Sequence, residues 1–370
     1  MNKKKILYIT PALPVGGAER FLLSLSGALI PDTDKQWIIS LSNVNVLAPE
    51  ITPGIEFIAL PRRSKFDLKP VKEIRRLIKT EQPDIVFCIN FFSYFVLRCA
   101  LFGLRYKPRT IISYHSTEHV SRKEHWLHHL YARLLTKRDE IVAVSQRQAD
   151  YTIRTYRIPR RKFDVVLNCV DTDYWKPDTT GSVRSRVRQQ LGIPEDAPVI
   201  ILTAAFRPEK NHAGGIRALK LLHEKYNCRA YLLLVGDGVL RPAIEAAVLG
   251  SGISSYIKLA GLQKDVRPFY QAADIFTLVS SRVETFSIAA LEAMSCGLTE
   301  VLTDVGGAAE MVTPGVNGFL CVAEDDSIAQ NWLKGLNSDF RKEDIHAYAY
   351  THFRKEKMVS SYKKIFGLAS

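Results

Sequence analysis

The chain has 370 residues, 46% of them hydrophobic and 24% charged, and a formal net charge of +13. That length suits about two globular domains with large cores. The six cysteines (Cys88, Cys99, Cys169, Cys228, Cys296 and Cys321) are scattered and form no Cys-x-x-Cys pair, which excludes a disulfide framework and a cysteine zinc site and fits a reducing compartment.

The first five residues are rich in lysine and precede the apolar run Ile6, Leu7, Tyr8, Ile9, the outline of a leader. Pro11 and Pro14 interrupt that run and no small-x-small cleavage site follows, so a buried first strand over 6–10 is expected instead. Gly16 and Gly17 come next, then an apolar-periodic helix over 18–29. Further strands are expected at 37–41, 55–60, 85–89, 110–114, 141–144 and 165–167, with helices at 71–79 and 126–135. The stretch 91–104 comes closest to a membrane span, but it falls short of the ~18 apolar residues required and contains Arg98. A soluble or membrane-surface protein is expected, cytoplasmic and at most peripheral on the inner face of the cell membrane.

Near residue 171 the texture changes to a segment rich in Thr, Gly, Ser and Arg, which reads as a boundary. A second alternating series follows, with strands at 199–204, 230–235, 257–259, 275–278 and 299–303 and helices at 214–225, 240–249, 266–272 and 287–295. A helical tail over 343–366 closes the chain. The fold class is therefore α/β, two Rossmann-like doubly wound parallel-sheet domains with a cleft between them, and ligands are expected beyond the carboxyl ends of the strands. The domains are placed at 1–172 and 173–345, with the tail at 346–370.

Four loops at strand ends carry candidate chemistry. Gly16 and Gly17 open a helix whose exposed amides and dipole suit an anion, although the loop is neither a G-x-G-x-x-G fingerprint nor a Walker sequence. Arg207 and Lys210 follow the strand ending at Ala204; they form either a diphosphate clamp or a solvated loop. Gly236, Asp237 and Gly238 follow the next strand, where the aspartate either orders the turn or the loop lines a nucleotide pocket. Gly306 and Gly307 offer a fourth set of amides. Glu284 and Glu292, separated by seven residues, lie in an otherwise apolar stretch, and Glu292 falls in a helix packed on several sides, where a charge is costly unless something partners it. His115 ends a strand and is either a satisfied core residue or a group that hydrogen-bonds a polar ligand. His119, His125, His128 and His129 lack a carboxylate spacing that resembles a ligand set, so no metal is expected. The Asp32/Asp34 and Asp171/Asp173 pairs read as turn residues.

Gly16 to Arg20, Asn168 to Asp171, Phe206 to Asn211, Leu234 to Gly238 and the block from Asp265 through Glu310 together resemble a family-four retaining glycosyltransferase with the GT-B fold. Glu284 to Glu292 matches that family's E-x7-E element. The resemblance implies that Glu284 contacts hydroxyls of the transferred sugar and Glu292 the nucleotide ribose. It implies that Arg207 and Lys210 neutralise the leaving diphosphate, and that Gly16 and Gly17 set amides against it. Gly236, Phe286 and Ser287 would line the donor site, His115 would approach the donor sugar, and the tail would cross back onto the first domain. The implied reaction needs no cofactor or metal, since protein cations and amides stabilise the leaving group's charge. Departures from the family pattern are Thr285 for a glycine, Thr299 and Glu300 for a Pro-Val pair, Cys169 for a glycine, and Ala205 where an arginine can stand.

Residues 1–175 hold 28 Lys and Arg against 17 Asp and Glu, while the remainder holds 23 against 21. Such a field attracts phosphorylated ligands, anionic headgroups or nucleic acid. Arg98, Arg105, Lys107, Arg109, Arg122, Lys123, Lys137 and Arg138 lie among Phe91, Phe92, Tyr94, Phe95, Phe102, Tyr106 and Trp126, a mixture that suits a membrane interface or a core beside a solvated face. The expected partners are a nucleotide-sugar donor (UDP- or GDP-linked), a glycan or lipid-linked acceptor and an anionic membrane surface, but not nucleic acid. A sugar-nucleotide epimerase or hydrolase of the same fold is the alternative.

Overall fold

The structure, a computed structural model, describes residues 3–64, 67–115 and 122–368; His119 and the side chain of Arg122 lie outside it. The chain divides into two compact units, Met1–Asn168 with Glu356–Ser370, and Cys169–Lys355.

The first unit runs β1 (Lys4–Thr10), α1 (Gly17–Ala28), β2 (Thr33–Ser40), β3 (Ile55–Ala59), α2 (Lys69–Glu81), β4 (Ile85–Ile89), α3 (Asn90–Leu101), β5 (Arg109–Tyr114), α4 (Arg122–Arg133), β6 (Asp139–Ala143), α5 (Gln146–Tyr156) and β7 (Phe163–Val165). Its seven strands are ordered β3-β2-β1-β4-β5-β6-β7 and pair in parallel. Strands such as Ile85–Ile89 are apolar throughout because both faces of a parallel sheet are covered. The winding reverses between β1 and β4, which makes their carboxyl ends the switch point.

The second unit runs α6 (Ser182–Leu191), β8 (Val199–Thr203), α7 (His212–Glu224), β9 (Tyr231–Val235), α8 (Arg241–Gly250), β10 (Ile257–Gly261), α9 (Arg267–Ala272), β11 (Ile275–Leu278), α10 (Ile288–Ser295), β12 (Thr299–Thr303), α11 (Ala308–Met311), β13 (Gly318–Cys321), α12 (Asp325–Leu336) and α13 (Lys342–Phe353). Its parallel sheet is ordered β10-β9-β8-β11-β12-β13, with the switch point between β8 and β11.

Several elements differ from expectation. The segment read as a boundary contains α6, whose Arg188 is fully buried. That guanidinium donates to the carbonyls of Ala272, Glu195 and Ala197 and to Asp274. The apolar stretch 91–104 is mostly α3, with Phe91, Tyr94 and Leu97 in the core. Helices α5, α11 and α12 and strand β13 are additional. The tail is two helices: Arg354 is extended (φ −65°, ψ 149°) between α13 and α14 (Lys355–Phe366) and forms a parallel bridge with Val170. Val170 donates to Phe353 at 2.9 Å and accepts from Lys355 at 3.1 Å, so this bond pair replaces the helical ladder. Helix α14 completes the first unit's core, with Tyr362 and Phe366 fully buried beside Phe87. Lys363 pairs with Asp32 at 2.9 Å, which gives that aspartate a structural partner.

Candidate functional site

In the second unit, β8 and β11 are neighbours at the switch point, so the loops that follow them meet. The Ser281 amide donates to the Glu209 carbonyl at 2.9 Å and ties the two loops together. Lys210 Nζ then lies 2.5 Å from Glu284 Oε2, with side-chain exposures of only 20% and 13%. Ser280 Oγ donates to the same carboxylate oxygen at 3.4 Å. Asn211 aims Lys210 by adopting the left-handed region (φ +51°) while its side chain accepts the Gly214 amide and caps α7. Asparagine tolerates that backbone conformation better than most residues. On the far side, Gly306 (φ +58°) lies so close to the Glu284 carbonyl that a Cβ would overlap it. Gly307 donates its amide to Thr285 at 2.8 Å. That glycine pair buttresses the glutamate loop instead of presenting both amides to an anion.

Arg207 is exposed at the start of the short turn Pro208–Lys210. Gly236 (φ +142°) ends β9 against the Ala204 carbonyl, where a Cβ would overlap. Asp237 orders the turn by accepting the Gly238 amide at 2.7 Å and pairing with Arg241 at 3.0 Å. Ser287 caps α10 by accepting the Ala290 amide at 3.2 Å. Phe286 is buried and sits edge-on to Phe353, so a ligand contact from this residue is a backbone contact. Glu292 is half-buried on α10 and accepts the Tyr270 hydroxyl at 3.4 Å. Burial pushes that phenol well above its usual range, which keeps it protonated and able to donate. Tyr270 was not among the sequence candidates; its partnership with Glu292 spans 22 residues and has no local signature.

Two further groups escaped or puzzled the sequence reading. His212, 2% exposed, packs edge-on to Phe206, and neither ring nitrogen has a hydrogen-bond partner. Burial, then the Lys210 charge, lowers its pKa to about 4, so the imidazole is neutral. Glu300 is fully buried with neither carboxyl oxygen hydrogen-bonded, and burial raises its pKa well above the usual range.

In the first unit, Gly16 is the extended N-cap of α1 (φ −164°), and Gly17 is its first residue. Burial pushes the Glu19 carboxyl, curled back towards Gly16, up in pKa. His115 follows β5; its Nε2 is 2.9 Å from Ser113 Oγ and its ring is 4.7 Å from that of Phe21. Its amide donates to Asn90 Oδ1 at 2.8 Å, and Asn90 reaches it from the end of the adjacent β4 by adopting φ +62°. Burial lowers the His115 pKa to about 3, so this imidazole is neutral too. Among the described residues no group of three His, Cys, Asp or Glu side chains is placed to hold a metal ion. Nor is any helix among them long and apolar enough to cross a membrane.

A family model described as "Glycosyl transferases group 1" matches residues 183–352, and one described as "Glycosyltransferase Family 4" matches residues 15–174. N-acetyl-alpha-D-glucosaminyl L-malate synthase of Bacillus anthracis is 29% identical over 234 residues, 62% of this chain and 59% of that protein. D-inositol 3-phosphate glycosyltransferase of Streptosporangium roseum is 30% identical over 209 residues, 54% of this chain and 46% of that protein. The chain thus spans about half the length of the curated relatives it matches. In three dimensions it is similar to Anabaena HepE in complex with UDP, with a TM-score of 0.83 at 20% identity over 98% of this chain and 99% of the other. A glycosyltransferase from Rickettsia africae gives a TM-score of 0.84 at 21% identity over 99% and 98%. At these identities the structural likeness speaks to the fold.

Proposed function

Because the chain belongs to the family-four glycosyltransferases of the GT-B fold, we propose that it transfers a sugar from a nucleotide-diphosphate sugar to a hydroxyl of an acceptor. The donor is UDP- or GDP-linked, and the UDP in the HepE complex favours the former. The acceptor is a lipid-linked or cell-surface glycan precursor, and the anomeric configuration is retained.

The observation that carries this reading is the Lys210–Glu284 ion pair at the switch point of the second sheet. When the bond from the sugar's anomeric carbon to the diphosphate breaks, the electron pair stays on the phosphate oxygen. Lys210, held by Glu284, and the exposed Arg207 meet that charge without a metal. The acceptor hydroxyl attacks the same face, and its proton passes to the departing phosphate oxygen. Glu284 accepts from hydroxyls of the transferred sugar, and Glu292, oriented by Tyr270, accepts from the ribose. Gly236, the Phe286 backbone and the Ser287 cap shape the donor loops. Gly16 and Gly17 offer amides to the diphosphate, and neutral His115 offers a hydrogen bond to the sugar without adding charge.

The test is nucleotide release from a panel of UDP-, GDP- and ADP-sugars, with and without a glycan acceptor, alongside melting temperatures with each nucleotide. A ligand that binds only the folded state must raise the melting temperature. One nucleotide should stabilise the protein, and its release should depend on acceptor. Fast release or epimerisation with donor alone would replace transfer by the epimerase or hydrolase reading.

A further inference from the structure

The first unit contains a cavity of about 670 Å³ lined by Pro11, Ser42, Asn43, Arg62, Arg63 and Phe92 among others. These residues follow the carboxyl ends of β1, β2, β3 and β4, so the cavity lies on the edge of the sheet where ligands of such folds bind. Its size is within the range of small-molecule sites, roughly 300–1,000 Å³.

The walls are held in place. Ser42 Oγ accepts the Val44 amide at 3.1 Å, and Asn45 Nδ2 donates to the Ser42 carbonyl at 2.8 Å. Leu13 donates to Val44 at 3.0 Å, which binds the Gly16–Gly17 loop to the same wall. The Arg62 guanidinium lies 4.4 Å from the Phe92 ring centroid. Stacking fixes the plane of the fork and leaves its N–H edges for a ligand. The Arg63 amide is held by Asp67 Oδ2 at 2.9 Å, and the Lys69 amide by the other oxygen of the same carboxylate. The described lining holds two arginines and no carboxylate.

Two guanidinium forks lining one cavity, one of them already oriented by its ring, suit an anion that accepts paired hydrogen bonds. We propose that this cavity binds an anionic group of the acceptor, a phosphate or a carboxylate, and so selects charged over neutral acceptors. The inference rests on the glycosyl-transfer reading above, which needs an acceptor site outside the donor loops.

The test is a melting-temperature titration of the full chain with myo-inositol 1-phosphate, succinate and uncharged myo-inositol. It is repeated on the double variant Arg62→Gln/Arg63→Gln and on Lys210→Ala. Both arginines are exposed, so the double variant should melt unliganded at the wild-type temperature. At least one anionic probe should stabilise wild type and Lys210→Ala, and the double variant should need about tenfold more of it, the scale of one lost charged hydrogen bond. Whichever probe responds names the anion. No response to either anion, an equal response to inositol, or a response lost in Lys210→Ala yet kept in the arginine variant would overturn the proposal. UDP, GDP and ADP are run in parallel: failure of all three to stabilise wild type would defeat the donor reading and leave the anion result to be judged by itself.

Discussion

Lys210 and Glu284 lie 74 residues apart and share one hydrogen bond. Removing Lys210 takes one cation from the proposed diphosphate clamp, so Lys210→Ala is expected to lower kcat by about 100-fold or more, the scale of one charge-stabilising donor. A kcat within threefold of wild type would remove Lys210 from that role. Glu292→Gln keeps the Tyr270 hydrogen bond and should raise the KM for donor far more than it lowers the melting temperature; the reverse pattern would make Glu292 structural. Two histidines with lowered pKa values, the buried His212 and the half-buried His115, predict a pH effect. Burial and Lys210 hold His212 at about 4 and burial holds His115 at about 3, whereas an unfolded chain titrates near 6.5. Below about pH 6.5 the unfolded state therefore binds protons that the folded state refuses, and stability falls as pH drops towards 4. His212→Leu should flatten that decline in melting temperature between pH 7 and 4.5; an unchanged slope would clear His212 of responsibility.

Strand β12 carries Glu300 between β11 and β13 with both carboxyl oxygens unpaired. Its folded pKa is raised, so stability is full below the ordinary carboxyl value near 4.5 and is lost as pH rises above it. Glu300→Val removes the unpaired group and suits a strand buried on both faces. At pH 7.5 it should raise the melting temperature by roughly 2–10 °C, the equivalent of about 1–3 kcal/mol, and the gain should shrink towards pH 4.5. A gain that does not change with pH would point to packing instead of proton release. Helix α6 shows the opposite use of a buried charge. Arg188 is satisfied by carbonyls and Asp274, so Arg188→Ala, which takes the donor from those buried carbonyls and leaves Asp274 to Arg184 and the Val199 amide, should cost about 3 kcal/mol in chemical denaturation. The strands were largely legible because a short apolar run bounded by turn residues suits a doubly covered strand and is too brief for a buried helix. Helix α6 was not, because its two buried residues are Val187 and an arginine. In α5 the buried positions include Gln148 and Thr152, satisfied by hydrogen bonds to Val144, Tyr114 and the helix itself, so no apolar stripe marks it.

At the scale of the whole chain, the excess of cations in the first half supports an anionic surface as partner. Phe102 is 84% exposed in the same loop as exposed Arg105 and Lys107, and Trp126 is 64% exposed on α4. Phe91 and Tyr94, by contrast, are core. Co-sedimentation with phosphatidylserine vesicles should be strong at about 0.05 M salt and weak at about 0.5 M, where screening shortens the Debye length to a few ångströms. Absence of binding at the lower salt would end the membrane reading.

The fold class and the loops worth watching followed from the amino-acid order alone. Alternation of apolar runs with periodic segments, and glycines or cations at strand ends, are local patterns that survive without knowledge of contacts. Which of those residues meet was decided by tertiary structure. The parallel crossovers put β8 beside β11 and so bring Lys210 to Glu284, close Gly306 against the Glu284 carbonyl, and place Tyr270 over Glu292. No spacing in the chain encodes those distances, because each is fixed by sheet order and close packing between segments far apart in sequence.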